Sequence, residues 1–236
     1  MTAIITAVAL SKTYGLTFAL RKLDVSIAAG QFVALLGPNG SGKSTFLRLL
    51  TGLSRASAGS LVIGGWEMPR EADAVRAQIG VVSHKALLYD TLTARENLRF
   101  FAALYHLPRD KAEARINALL EQVGLARRAE DLVRTYSRGM LQRLSIARAL
   151  LHAPDILLLD EPHTGLDRSG SEMLDTLLRA AHAEGRTVLM ATHELERAAA
   201  LSTRVLILAR GTAVYDAPTA GFDGERLAAQ YAQVTG

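Results

Sequence analysis

Nine residues carry the strongest chemical signal: Gly37, Pro38, Asn39, Gly40, Ser41, Gly42, Lys43, Ser44 and Thr45, which fit the spacing G-x-x-x-x-G-K-[ST]. Glycines at such spacing let the backbone curl so that successive N–H groups face one concavity. A lysine there reaches the outer phosphates of a nucleotide, and the following hydroxyl can ligate Mg²⁺. Lys43 also opens a stretch with helical spacing, so the positive end of a helix points at the same spot. Three more groups belong beside it. "DILLLDEP" ends an apolar run on Asp160, suited to hold Mg²⁺ through water, and places Glu161 next to it as a carboxylate able to polarise an attacking water. Read alone, this acidic pair is equally a cap on a strand end. His193 follows "TVLMAT" at another run's end, where a histidine opening a helix is the plainer alternative. In "YSRGMLQRLSIARALL", Ser137 and Gly139 open a long helical pattern, which is either an ordinary N-cap or a second anion-binding site.

These groups need a scaffold that gathers strand ends. "FVALL", "DILLLD", "TVLMATH" and "RVLILA" are short, rich in Val, Ile and Leu, and lack polar alternation, as parallel strands covered on both faces do. Helical patterns separate them, so the fold class is α/β with a parallel sheet and right-handed crossovers. Met173, Leu174, Leu177, Leu178 and Ala181 lie on one helical stripe that Gly185 ends. Near the N-terminus "LDVSIAAGQFVALLG" and "GSLVIGGWEM" read as antiparallel hairpins turning at Gly30 and at Gly64-Gly65. Residues 86–151 contain no strand-like run, and Thr93 and Glu96 there have capping-box spacing, so this stretch is expected to be an inserted helical lobe.

Composition limits the alternatives. A chain of 236 residues, 49% hydrophobic, can bury a core without staples, and with no cysteine it has neither disulfides nor Cys-ligated zinc. No apolar run approaches the ~18 residues of a spanning helix. The N-terminal stretch "MTAIITAVALSKTYG" alternates like a strand and lacks a basic n-region, so mature, soluble protein is expected. A net charge of +4, from 27 basic and 23 acidic residues without a like-charged block, argues mildly against a nucleic-acid partner.

Together these stretches resemble, over essentially the whole chain and in motif order, the nucleotide-binding subunit of ATP-binding cassette (ABC) transporters. By that resemblance "GPNGSGKST" is the Walker A loop, Ser137, Arg138, Gly139 and Met140 the signature that touches ATP across a dimer, and "ILLLDEP" the Walker B strand. Asp160 and Ser44 would then hold Mg²⁺, Glu161 would be the catalytic carboxylate, Asp167 in "TGLD" the D-loop aspartate, His193 the switch histidine and Tyr14 the ring stacking on adenine. The implied fold is a single domain with a RecA-like P-loop NTPase core plus β subdomain (residues 1–85 and 152–236) and the lobe 86–151. Two copies would close head to tail on ATP and Mg²⁺ and drive a membrane-spanning subunit, placing the protein on the cytoplasmic face of the membrane.

Departures from the pattern accompany the match. The usual glutamine after "IGVV" is His84, followed by Lys85, so coupling to the membrane subunit or pH response is expected to differ. Arg138 replaces a common glycine and is expected to face solvent, and Met140 replaces a glutamine. "SHKALLYDTLTARENLRFFAALY" with "YSRGM" is most similar to the heme-exporter ATPases of cytochrome c maturation, with exporters of drugs, lipids or polysaccharides as the alternative. A free-standing P-loop kinase would lack "YSRGM" before "DEP". DNA-repair or translation cassettes would carry coiled-coil insertions or a second cassette, and a degenerate cassette would have lost Lys43, Asp160, Glu161 or His193.

Overall fold

The computed structural model describes residues 2–83 and 85–236. In chain order its elements are β1 (Ala3–Tyr14), β2 (Thr17–Ala28), β3 (Phe32–Leu36), α1 (Lys43–Leu50), β4 (Ala58–Ile63), β5 (Trp66–Met68), α2 (Ala72–Gln78) and β6 (Ile79–Val82). There follow α3 (Ala94–Leu104), α4 (Arg109–Gln122), α5 (Arg138–Leu150), β7 (Ile156–Asp160), α6 (Arg168–Ala183), β8 (Thr187–Ala191), α7 (Leu195–Leu201), β9 (Arg204–Ala209), β10 (Thr212–Pro218) and α8 (Gly224–Thr235). Six strands form a central sheet in the order β10-β9-β3-β8-β7-β6, parallel except for β10, and four form an antiparallel sheet in the order β2-β1-β4-β5.

The apolar runs become the centre of the central sheet because neither face meets water: every residue of β3 and β8 is buried. Period-two alternation divides their side chains between layers. Leu157, Leu159, Val188 and Met190 point into one core with α3 to α6, while Ile156, Leu158, Leu189 and Ala191 point into another, shared with α1 and the antiparallel sheet. At about 1.5–3 kcal/mol per buried aliphatic side chain, these layers hold the strand ends in fixed register.

The expected hairpin at Gly64-Gly65 forms, with Ile63 opposite Trp66 and both glycines at positive φ (58° and 87°), the conformation a tight two-residue hairpin turn demands. The one expected at Gly30 does not. β2 pairs with β1, whereas β3 lies between β8 and β9 in the other sheet. Gly30 (φ 74°) turns the chain from sheet to sheet, and its N–H is taken by Thr187 Oγ1 at 3.0 Å. The physical reason is burial. β2 alternates and keeps one face wet, so it suits an antiparallel pair, while the unbroken apolar β3 needs cover on both faces.

Among the described residues between β6 and β7, the regular structure consists of helices, two single 3₁₀ turns and one isolated bridge, Thr93 to Leu132. The Thr93–Glu96 capping box forms in both directions at the start of α3. α5 is tied to the central sheet at its far end: Arg148 Nη2 donates to Val81 O at 2.6 Å, and His152, just beyond the helix, stacks on Tyr105 (3.7 Å between ring centroids) with Nε2 3.1 Å from Ile79 O. Burial pushes the His152 imidazole down to about 4, against its ordinary 6.5. The sign follows: the native state holds this ring neutral, so its contribution is complete above pH 6.5 and is lost as pH falls towards 4. Allowing for partial solvent screening, it amounts to about 2 kcal/mol. Urea midpoints compared at pH 7 and pH 4.5 should fall further for the wild type than for His152→Gln, and parallel falls would exclude the assignment.

Candidate functional site

The phosphate loop is strained into shape by its neighbours. Between β3 and α1, Gly37, Gly40 and Gly42 take φ of 147°, 78° and 111°. A Cβ on Gly37 would lie 2.2 Å from Leu208 O, and one on Gly42 would lie 2.6 Å from Ala19 O, so the β9 strand and the antiparallel sheet press on the loop from two sides. Gly40 has open space where its Cβ would be, and Ser41 Oγ is buried without a partner. A curled loop with an unanswered hydroxyl ahead of a helix N-terminus fits a phosphate group.

Lys43 Nζ is turned onto the loop itself, donating to Gly37 O at 2.6 Å and to Pro38 O at 3.2 Å. Burial lowers its pKa, opposed by the negative charges of Glu161 and Asp160. Ser44 Oγ stands 3.5 Å from Asp160 Oδ1, at the end of β7, a long contact that leaves both oxygens free for another partner. Among the described residues no three His, Cys, Asp or Glu side chains are grouped to hold a metal. Ser44 and Asp160 could supply the one or two protein oxygens that Mg²⁺ takes beside substrate phosphates.

Glu161 has a left-handed backbone (φ 51°) and its N–H bonds Ala191 O at 2.9 Å, on neighbouring β8. The carboxylate is thereby aimed at the residue just past β8: Oε2 lies 2.8 Å from His193 Nδ1. Burial raises the Glu161 pKa, and His193 and Lys43 oppose the rise. A carboxylate whose proton affinity is raised in this way is suited to accept a proton. Adjacent parallel strands place Lys43, Ser44, Asp160, Glu161 and His193 at one sheet edge, where such sheets bind ligands.

The second group opens α5, and its Arg138 lines one cavity with Glu161. Ser137 caps α5, its Oγ accepting from Met140 N at 3.3 Å. Gly139 has a reason to be glycine: its Cβ would lie 3.1 Å from Gly165 O. Arg138 is exposed, as expected, and its side chain lies over Gly165, whose own Cβ would meet Arg138 Nε at 2.9 Å. Met140 packs half-buried against the larger core, a packing role in place of glutamine. Asp167 caps α6 through Gly170 N (2.8 Å) and takes Arg143 Nη2 at 3.0 Å, and these two contacts, in that order, lower its pKa. No hydrogen bond or ion pair among the described residues joins Ser137 or Arg138 to Lys43, Ser44 or His193. Tyr14 ends β1 with its ring half exposed and Lys12 Nζ 4.9 Å from the centroid. His84 lies outside the described residues.

Several polar residues around these groups escape sequence reasoning. Gln142 Nε2 donates to Pro162 O at 2.7 Å, joining α5 to the turn after Glu161. His163, buried, and Asp175, on α6, pair at 2.7 Å. The available signal is Asp175 itself, a carboxylate flanking the buried stripe of α6 that holds Leu174 and Leu178.

Comparison with known proteins agrees with this architecture. The family model described as ABC transporter matches residues 20–164, and the chain belongs to that family. It is 41% identical over 203 residues to the daunorubicin resistance ATP-binding protein DrrA3 of Streptomyces coeruleorubidus, covering 86% of this chain and 64% of that protein. It is 40% identical over 211 residues to the Nod factor export ATP-binding protein I of Cupriavidus pinatubonensis, covering 89% and 65%. The match thus spans somewhat under two thirds of these relatives' lengths. Among solved structures, the ATP-binding subunit of an ABC transporter superposes with a TM-score of 0.90 at 28% identity, covering 97% of this chain and 99% of the other. A dimeric ATP-binding cassette in a post-hydrolysis state, bound to ADP and Pi, gives 0.85 at 28% identity, covering 92% and 100%. The α/β P-loop core with its antiparallel β subdomain is therefore the ABC ATPase fold. Among the described residues no helix is long and apolar enough to cross a membrane.

Proposed function

We propose that this chain is the ATP-binding and ATP-hydrolysing subunit of an exporter, acting as a head-to-tail dimer on a separate membrane-spanning partner. The observation that carries the reading is that one chain holds, besides residues 37–45 with the Glu161–His193 pair, a second anion-directed group, the capped helix start at Ser137 to Met140, that makes no hydrogen bond with Lys43, Ser44 or His193 among the described residues. A second copy supplies the missing half of each site.

In this reading residues 37–45 wrap the phosphates and Lys43 leaves its loop carbonyls for the outer ones. Ser44 and Asp160 would hold Mg²⁺, which would supply positive charge beside the phosphoryl group. Glu161 orients and deprotonates the attacking water, and His193 fixes the carboxylate and faces the γ-phosphate. Ser137 Oγ and the N-terminus of α5 meet the same phosphate from the other copy, so ATP favours the closed dimer and hydrolysis releases it. Tyr14 stacks on adenine. Leu87, Tyr89, Phe100 and Leu104, exposed on and before α3, offer the membrane subunit an apolar docking face, with Tyr89 and Phe100 in edge contact at 4.9 Å. Such a partner would hold the protein on the inner face of the membrane.

Phosphate release by the purified chain with Mg²⁺ and ATP tests the dimer. At low protein concentration the rate should rise faster than in proportion to protein, and strict proportionality would overturn the two-copy site. The names of the relatives, drug resistance and Nod factor export, favour an exporter of amphipathic molecules over heme handling for cytochrome c. Disrupting the chain in its cell should raise sensitivity to amphipathic antibiotics and leave heme-stained c-type cytochromes intact; loss of the latter would restore the heme reading.

A further inference from the structure

The catalytic pair proposed above sits in a closed ring of contacts. From Glu161 Oε2 the path crosses to His193 Nδ1 (2.8 Å) and follows the chain to Glu194, whose carboxylate pairs with Arg197 Nη1. Arg197 Nε reaches Asp175 Oδ2 at 3.4 Å, and Asp175 Oδ1 is 2.7 Å from His163 Nε2. His163 returns through Pro162 to Glu161. Four separate pieces of structure are bound by it: the turn after β7, α6, the turn between β8 and α7, and α7.

The buried histidine is the informative member. Its side chain is 2% exposed, Nε2 faces a carboxylate and so carries the proton, and Nδ1 is buried with no partner. A leucine of similar bulk would fill the space without an orphaned nitrogen, so the imidazole is unfavourable here except for its bond to Asp175. Asp175 in turn has 15% of its side chain exposed and stands on α6 next to the buried Leu174. A polar pair kept in such a place fixes the orientation of the two side chains it joins.

We propose that His163, Asp175 and Arg197 are positioning residues that hold the Glu161 carboxylate and the His193 imidazole in register across β7 and β8. The inference rests on the hydrolytic role given to Glu161 and His193. None of the three touches nucleotide. They act by setting where the turn after Glu161 and the turn before α7 stand relative to each other, and a displacement of a fraction of an ångström there is enough to lower turnover.

Four variants and two readouts test it. His163→Leu removes the donor, His163→Gln keeps an N–H near the Nε2 position, Asp175→Asn removes the shared charge, and His193→Ala removes the object being positioned. For His163→Leu we expect kcat to fall about tenfold with the ATP KM within about twofold, and His163→Gln to recover most of the loss. Added to His193→Ala, His163→Leu should cost little further, because the two act through one contact. The ¹⁵N shifts of the His193 ring, read without any turnover, should move in His163→Leu and Asp175→Asn and return in His163→Gln. Should His163→Leu fail to fold, Asp175→Asn carries the same expectations. An unmoved His193 ring with unchanged kcat overturns the ring. If the wild type itself releases no phosphate, the hydrolytic reading falls, while the ring shifts still decide whether the three residues hold His193.

Discussion

Glu161→Gln is expected to lower ATP turnover by about 10²–10³-fold while leaving ATP affinity within about twofold. The amide has the carboxylate's shape and can still accept from His193 Nδ1, 2.8 Å away, so the site keeps its geometry and loses only its base. Turnover by the wild type should also fall as pH drops through a pKa lying above the ordinary glutamate value, because burial holds this group up against the pull of His193 and Lys43. The stability consequence has the opposite sign. With its pKa raised, Glu161 favours the folded state when protonated and costs stability when ionised. Glu161→Gln should therefore melt above the wild type at neutral pH, and the gap should close as pH falls below the folded-state pKa and then the unfolded one. Light scattering with Mg²⁺ and ATP should show a persistent dimer of this variant. Full turnover in Glu161→Gln would remove the residue from the chemistry.

Lys43→Ala should weaken ATP binding by about 10²-fold or more, the size expected when one partner of a desolvated charge pair is lost. The ammonium is stored on the loop it serves, bonded to Gly37 O and Pro38 O, and burial already lowers its pKa. It is therefore only partly hydrated before nucleotide arrives, which reduces the desolvation still to be met on binding. The loss should be much larger for ATP than for AMP, since the lysine serves the outer phosphates. Equal loss for both, measured by calorimetry, would show that the substitution collapses the loop and that no specific phosphate contact is missing.

Much of this architecture is legible one segment at a time. The helix starting at Lys43, the cap at Ser137, the capping box at Thr93 and Glu96 and the stop at Gly185 depend on residues within a turn of one another, so composition and spacing suffice. The parallel strands are legible because burial on both faces removes polar alternation. The Gly30 turn is not legible in this way, because a glycine bend looks the same whether the next strand doubles back or enters another sheet.

By itself, then, the sequence determined the phosphate loop, the strands that end in Asp160 and precede His193, and the order of the motifs. Only the tertiary structure decided that Glu161 and His193 touch, that Gly139 abuts Gly165, and that His163 pairs with Asp175 and Asp175 with Arg197. These partners are 12 residues apart in one pair and 22 in another, and they meet because neighbouring parallel strands and the helices packed on them bring distant ends together. Local propensity does not encode that proximity. Strand order in a sheet does, and it is set by which apolar faces must be covered together.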